Sequence, residues 1–284
     1  MISNKFINEI TIILISYQSY NKIKNFLRLI SKSFKIIIIE NSKDESVLKF
    51  NSKNIKVYIR KNNGISSSIN YACKKIKTKY FFHFSPDLKI TNNDISKVHA
   101  AAKLLKDKFA VIGPRFKNVN PKSHKQSDIT KKLCQIDAVH GSAMFVNKKN
   151  YIRIGKFDEN FFLFFEENDF CKRGNNLSLY SYQLNSVKIT NNINGSIKYK
   201  NIEEKKNIKN IYYWHFMWSK YYFTKKHFGI ILTTIYFIPI IVRILYRIII
   251  YTLTADIKIN KYKNRFQGLL RSMLGKSSYL RPKR

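Results

Sequence analysis

The chain has 284 residues, 53 Lys and Arg against 17 Asp and Glu (a formal charge of +36), and 44% hydrophobic and 14% aromatic content. That apolar share excludes a disordered chain and is enough for one large domain with an appendage. Three cysteines, Cys73, Cys134 and Cys171, are odd in number and far apart, which argues against a disulfide framework or a cysteine metal site and fits a reducing compartment.

The charge calls for an anionic partner, although Lys, Asn and Ile are over-used together and part of the excess belongs to that background. No RNA-recognition, zinc-finger or basic-zipper spacing is present, so nucleic acid is not the expected partner. At the N-terminus the apolar run TIILI is too short for a signal-peptide core and reads as a first strand.

Short β-branched runs at 10–16, 35–40, 55–59, 80–84 and 109–113 alternate with segments at 20–30, 66–76 and 92–107 whose apolar residues recur every three or four. Such alternation predicts a mostly parallel sheet covered by helices on both faces. Ligands of these sheets bind beyond the carboxyl ends of the strands. The residues there are Ser16 and Tyr17, then Glu40, Asn41 and Asp44, then Asn62, Asn63 and Gly64, then Ser85, Pro86 and Asp87. Residues 114–134 are polar, basic and without period, and read as a surface loop. Strand material follows at 136–147.

The segment FFLFFEENDFCKR (161–173) gathers three of the few carboxylates at one turn. Glu166 and Asp169 are three apart and share a helix face, while Glu167 is rotated by about 100° from Glu166. Acids favour the first turn of a helix, and Asp169 is placed to pair with Arg173 at i,i+4. The aromatic approach FFLFF implies, beyond this, a buried wall around a few specific acids.

After residue 200 the composition turns aromatic and basic, then heavily apolar. Residues 228–242 contain no charge, but they fall short of the roughly 20 residues that span a bilayer. Arg243 and Arg247 follow on one face. Such a segment, with Pro239, is expected to lie in the membrane interface or re-enter it, or else to pack as a hydrophobic helical subdomain. The last 28 residues carry nine basic groups and no acid, which favours a cytoplasmic, anionic membrane surface.

Five stretches, SYQSY, ENSKDES, NNGISSSIN, SPD and GKFDENFFLFFEENDFCKR, resemble in order and spacing the family-2 glycosyltransferases of the GT-A fold, in particular the rhamnosyltransferase-like branch that builds bacterial surface polysaccharides. The resemblance covers about residues 9–200. It implies an α/β GT-A domain over 1–205, with a Rossmann-like, mostly parallel sheet, and a helical, hydrophobic and basic membrane-associating region over 206–284. It also implies an inverting transfer from a UDP- or dTDP-sugar to a lipid-linked or surface glycan, at the cytoplasmic face of the bacterial inner membrane.

Residue by residue, the resemblance sets Ser16, Tyr17 and Asn41 in the donor pocket and gives Glu40 and Asp44 to the base and ribose. Glu40 stands where the family usually has Asp. Asn63 and Gly64 fall near the sugar diphosphate, with Asn70 further along the same helix. Ser85 replaces the first acid of the DXD-like motif. Asp87 keeps the last acid and is the expected ligand of Mg²⁺ or Mn²⁺, hard cations that take one or two carboxylates together with phosphate oxygens and water. Glu167 inherits the role of general base, supported by Glu166 and Asp169. A metal-binding His of relatives is replaced by Asn191 and Asn192, and His140 is not promoted in its place. The alternatives are a catalytically inactive sugar-nucleotide-binding relative and a basic membrane-associated adaptor.

Overall fold

A computed structural model describes residues 4–117, 130–190 and 197–282. After a short 3-10 turn the chain runs β1 (Ile10–Ser16), α1 (Tyr20–Leu29), β2 (Lys35–Glu40), β3 (Ile55–Ile59), α2 (Ile65–Lys75), β4 (Tyr80–Phe84), α3 (Asn92–Leu104), β5 (Val111–Phe116), β6 (Leu133–Ile136), β7 (Ala143–Asn147), α4 (Lys148–Ile154), α5 (Glu166–Asn175), β8 (Ser181–Ile189), α6 (Ile202–Leu253) and α7 (Ile259–Met273). One eight-stranded sheet has the order β3-β2-β1-β4-β7-β5-β8-β6. β1 to β4 are mutually parallel where they pair, and β7 runs antiparallel to β4. The order 3-2-1-4 reverses direction at β1 and β4, so a crevice is expected beyond the carboxyl ends of these two strands.

β1, β2 and β4 are buried nearly throughout, and alternate residues face opposite sides of the sheet as the two-residue period requires. Ile10, Ile12 and Leu14 of β1, Ile36 and Ile38 of β2, and Tyr80, Phe82 and Phe84 of β4 share a core with Ile23 and Phe26 of α1 and Ile95 and Val98 of α3. On the opposite face Phe81 meets Tyr151 of α4 with ring centroids 5.2 Å apart. The three cysteines are buried thiols.

The predicted strand at 109–113 begins instead at Val111 and runs through Pro114 to Phe116. Proline donates no backbone hydrogen bond, and the pairing with β8 shifts register between Pro114 and Arg115. The Gly113-Pro114 pair thus breaks a ladder without ending the strand. The expected loop at 114–134 holds that strand end and the start of β6, while its residues 118–129 lie outside the described residues. Of the strand material expected at 136–147, Ile136 ends β6 and Ala143–Asn147 form β7, with the residues between them outside any strand. The helix expected to reach residue 107 ends at Leu104, because Lys106 and Asp107 turn to positive φ.

Two compact units divide the chain. The first, Met1–Asn63, Ser67–Asp158 and Glu167–Lys198, holds the sheet and its helices. The second contains Tyr199–Arg284 and also Gly64–Ser66 and Glu159–Glu166. It therefore takes in two earlier segments that the expected division at 205/206 does not separate. Within it, α6 is broken at Gly229 (φ 78, ψ 171). Beyond the break, Phe237 and Ile244 pack on Met217 and Tyr221 of the first half of the helix and on Leu269 of α7, with Tyr262 and Phe266 alongside.

Candidate active site

The carboxyl ends of β1 and β2 are locked together. Ser16 and Glu40 lie opposite each other in register, and the Ser16 hydroxyl donates to Glu40 Oε2. Glu40 Oε1 accepts from the backbone N–H of Ser42 at 2.5 Å and from its hydroxyl. Glu40 is fully buried, and its side-chain oxygens accept from three donors, as burial of a polar group demands. Asn41 extends this network, donating through Nδ2 to Ser68 of α2 at 2.9 Å. Asp44 caps a short 3-10 helix, accepting from Ser46 N at 3.0 Å.

Asn70 is buried in α2. Its side-chain oxygen accepts from the Tyr151 hydroxyl and from Phe157 N at 3.2 Å, and its Nδ2 donates to Phe157 O at 2.9 Å. This asparagine ties α2 to the segment after α4. Tyr17, Asn63 and Ser85 follow their strands as expected, and Ser85 N donates to Ser142 O at 2.8 Å.

Asp87 stands half-buried on the turn after β4. Burial raises its carboxyl above the ordinary carboxylate range, while its own backbone N–H and Lys22 of α1 pull the other way. A hard cation held by one carboxylate, with water and phosphate oxygens completing the shell, fits this position. Among the described residues no three His, Cys, Asp or Glu side chains cluster as a metal site. Asn191 and Asn192 lie outside the described residues.

The acids of α5 occupy distinct environments. Asp169 is fully buried and pairs with Arg173 at 2.8 Å through Nε and NH2. Arg173 in turn donates to Ile154 O at 2.5 Å and Lys156 O at 2.6 Å, so this ion pair fastens α5 to the end of α4. Glu166 is buried at the helix start. Glu167 is half-buried, its Oε2 is shielded from solvent and has no hydrogen-bond partner, and burial pushes its carboxyl up to about 7 against the opposing backbone hydrogen bonds of Glu167 and Asn168. A carboxyl near 7 with an open oxygen is suited to exchange a proton at neutral pH.

The aromatic run before these acids is held in an unusual shape. Phe164 and Phe165 both adopt positive φ, 66° and 69°, a conformation that costs a non-glycine residue about 1–2 kcal/mol. Surrounding contacts hold it there. Phe162 O accepts from Ile65 N at 3.1 Å, and Gly64 sits so close that a Cβ would lie 2.5 Å from the same oxygen. Ser219 Oγ donates to Leu163 O at 2.8 Å.

Residues near the C-terminus complete the clamp. The Arg281 guanidinium stacks 3.9 Å over the Phe162 ring, and Ser278 Oγ donates to Asn160 O at 3.1 Å. His215 stacks on Phe162 at 4.6 Å and donates through Nε2 to Leu280 O at 2.7 Å. Burial holds His215 down to about 4, with Arg281 adding to the effect, so it is neutral. None of His215, Ser219, Ser278 and Arg281 carries a local motif, so nothing in the sequence marks them.

A family model described as "Glycosyl transferase family 2" matches residues 11–177. A hexosyltransferase of low-salt glycan biosynthesis, Agl10 of Haloferax volcanii, is 22% identical over an alignment of 196 positions that covers 61% of this chain and 63% of that protein. The chain therefore spans less than two thirds of this curated relative. Among solved structures, a mannosyltransferase of Pyrobaculum calidifontis, PcManGT, in complex with GDP-Man and Mn²⁺ superposes with a TM-score of 0.59 at 9% identity, over 95% of this chain and 88% of that one. TarS residues 1–349 of S. aureus in complex with UDP-GlcNAc gives 0.54 at 14% identity, over 94% and 92%. These likenesses identify the GT-A fold.

Proposed function

Because this chain belongs to glycosyl transferase family 2, we propose that it moves a hexosyl or deoxyhexosyl group, with inversion, from a nucleotide-diphosphate sugar to a lipid-linked or surface glycan. The observation that carries the reading is Glu167, a shielded carboxyl near 7 with one open oxygen, next to the clamped aromatic run. As the acceptor oxygen attacks the anomeric carbon, its proton passes to Glu167. The bond from that carbon to the diphosphate breaks, and its electron pair leaves with the nucleotide diphosphate. Asp87 would hold a divalent cation, Mg²⁺ or Mn²⁺, which neutralises charge on the departing diphosphate. Ser16, Tyr17 and Asn41 border the donor, as do Asn63 and Gly64, while Glu40 and Asp44 shape the strand ends around it. Glu166, Asp169 and Asn70 set the position of α5 and α2.

The chain works at a membrane surface in this reading. Ile231, Ile235, Val242 and Leu253 are 61–79% exposed on the second half of α6, and a contiguous apolar face of this kind marks an interaction surface. Its opposite face packs on α7, which bears Lys261, Lys263 and Arg265. Those cations would have to enter hydrocarbon if the helix spanned it, so the helix lies in the interface, on the basic, cytoplasmic side.

A panel of nucleotide sugars, assayed for binding and then for turnover with and without Mg²⁺ or Mn²⁺, tests the reading. Binding of a UDP- or dTDP-sugar with cation-dependent turnover is expected. Binding without turnover under any condition would leave a sugar-nucleotide-binding relative, and no binding at all would leave a membrane adaptor. Asp87→Asn is expected to weaken cation-dependent donor binding with the fold intact; equal affinity with and without metal would remove Asp87 from the metal site.

A further inference from the structure

We propose that an apolar cavity in the C-terminal unit seats the hydrocarbon chain of the acceptor lipid, with Lys220 meeting its phosphate. The cavity has a volume of about 390 Å³, within the range of small-ligand sites. Phe165, Phe223, Phe228, Leu232 and Tyr236 form its apolar walls, and Lys220 and Thr224 are its polar members.

The local backbone builds it. The positive φ of Phe165 brings its ring against Phe216 and Phe223, at centroid distances of 5.8 and 5.4 Å. The break at Gly229 lets residues on both sides of it, Phe228 before and Leu232 and Tyr236 after, line one space. Phe228, Leu232 and Tyr236 are 47–60% exposed, so the cavity opens onto the apolar face proposed to meet the membrane. Phe165 lies two residues before Glu167 in the chain.

The lining chooses the occupant. Thr224 donates its hydroxyl proton to Lys220 O at 2.8 Å, which leaves the Lys220 ammonium as the strong donor facing the space. A peptide or a nucleobase would bring several polar groups and find few partners, at a cost in desolvation. A hydrocarbon chain brings none. The Lys220 ammonium lies 4.8 Å from the Tyr236 ring centroid, and among the described residues no carboxylate pairs with it. A partly desolvated cation at the end of an apolar cavity calls for one anionic group, and a chain ending in phosphate supplies it. That this amphiphile is the acceptor rests on the glycosyl-transfer reading above.

Binding to the full chain tests the proposal, with decyl phosphate below its micellar concentration, decyl maltoside and inorganic phosphate as probes. Decyl phosphate is expected to bind most tightly. Lys220→Gln is expected to weaken it about tenfold or more and leave decyl maltoside unchanged, as loss of a charge-assisted contact implies. Lys220→Arg should restore it. Leu232→Trp, at a position exposed enough to accept the larger ring, should weaken both amphiphiles by filling the space.

Wild-type binding of decyl phosphate by both Lys220→Gln and Leu232→Trp, with unchanged melting temperatures, would overturn the proposal. Inorganic phosphate binding as tightly as decyl phosphate would do so too, by showing a free-phosphate site. A third contrary result is a loss seen with phosphatidylglycerol vesicles but not with decyl phosphate, which would mean membrane contact alone. Turnover of nucleotide sugars is measured separately: decyl phosphate binding without any turnover supports the cavity and removes the transfer reading.

Discussion

As the proposed general base, Glu167 would combine a catalytic demand with an energetic one, and the two have opposite signs. Its carboxyl is raised from 4.5 to about 7 in the folded protein, so the folded state holds the proton more tightly than the unfolded one. Between about pH 4.5 and 7 this group's contribution to stability therefore falls as pH rises, and above 7 the full penalty of a shielded carboxylate is present. Glu167→Gln removes that charge at nearly constant shape. The expected outcome is a turnover loss of about 10²–10⁴-fold, unchanged donor affinity, and a gain in stability of up to about 3 kcal/mol at pH 8 that vanishes near pH 4. Initial rates, donor titration and melting at the two pH values check this. In the wild-type protein, turnover should rise with pH through about 7 as the base is freed. Asp169→Asn is expected to act differently, because it leaves Arg173 without its buried partner. A stability loss of about 3 kcal/mol or more is expected, and melting separates it from a catalytic defect.

At the scale of elements, the tail at 276–281 braces the aromatic run. It clasps 160–162 through Ser278, Leu280 with His215, and Arg281, while Trp218 Nε1 holds Lys276 O at 3.0 Å. Arg281→Ala is expected to speed amide exchange across 159–166 and to lower kcat severalfold with donor affinity unmoved. Unchanged exchange in that segment would show that the tail does not position it.

This clasp also marks where the sequence stops being legible. β1 to β4 and α1 to α3 can be read from it because near-continuous β-branched runs and three-four spacing are local signals. The acids of α5 stand out because carboxylates are scarce here, and the Asp169–Arg173 pair follows from helical spacing alone. β8 escapes notice: SYQLNSVKI mixes polar and apolar residues without clean alternation, and its strand state comes from neighbours β5 and β6. His215, Arg281 and the network of Glu40 with Ser16 and Ser42 depend on partners distant in sequence or on side-chain direction, which no local pattern encodes.

At the scale of the whole molecule, the proposed membrane attachment would draw on a charge of +36 and a bare apolar helix face together. Attraction of that charge to anionic lipid would weaken with salt; apolar burial would not. Replacing both Ile231 and Ile235 by Asn, at sites 74% and 61% exposed, should reduce binding to phosphatidylglycerol vesicles at high salt while leaving the melting temperature nearly unchanged. Binding equal to wild type at high salt would place the anchor elsewhere. Cutting the chain at 228 is a poorer test, since α7 packs on Met217 and Tyr221 and the tail holds His215 and Trp218. The clasp also bears on synthesis. Asn160 meets Ser278 118 positions further along the chain, so a ribosome delivers the strands, the turn of Asp87 and Glu167 itself well before the residues that brace the aromatic run. A nascent chain paused after β8 would carry its acids on an unbraced approach, and the aromatic run would reach its clamped shape only once α6, α7 and the segment at 276–281 have emerged.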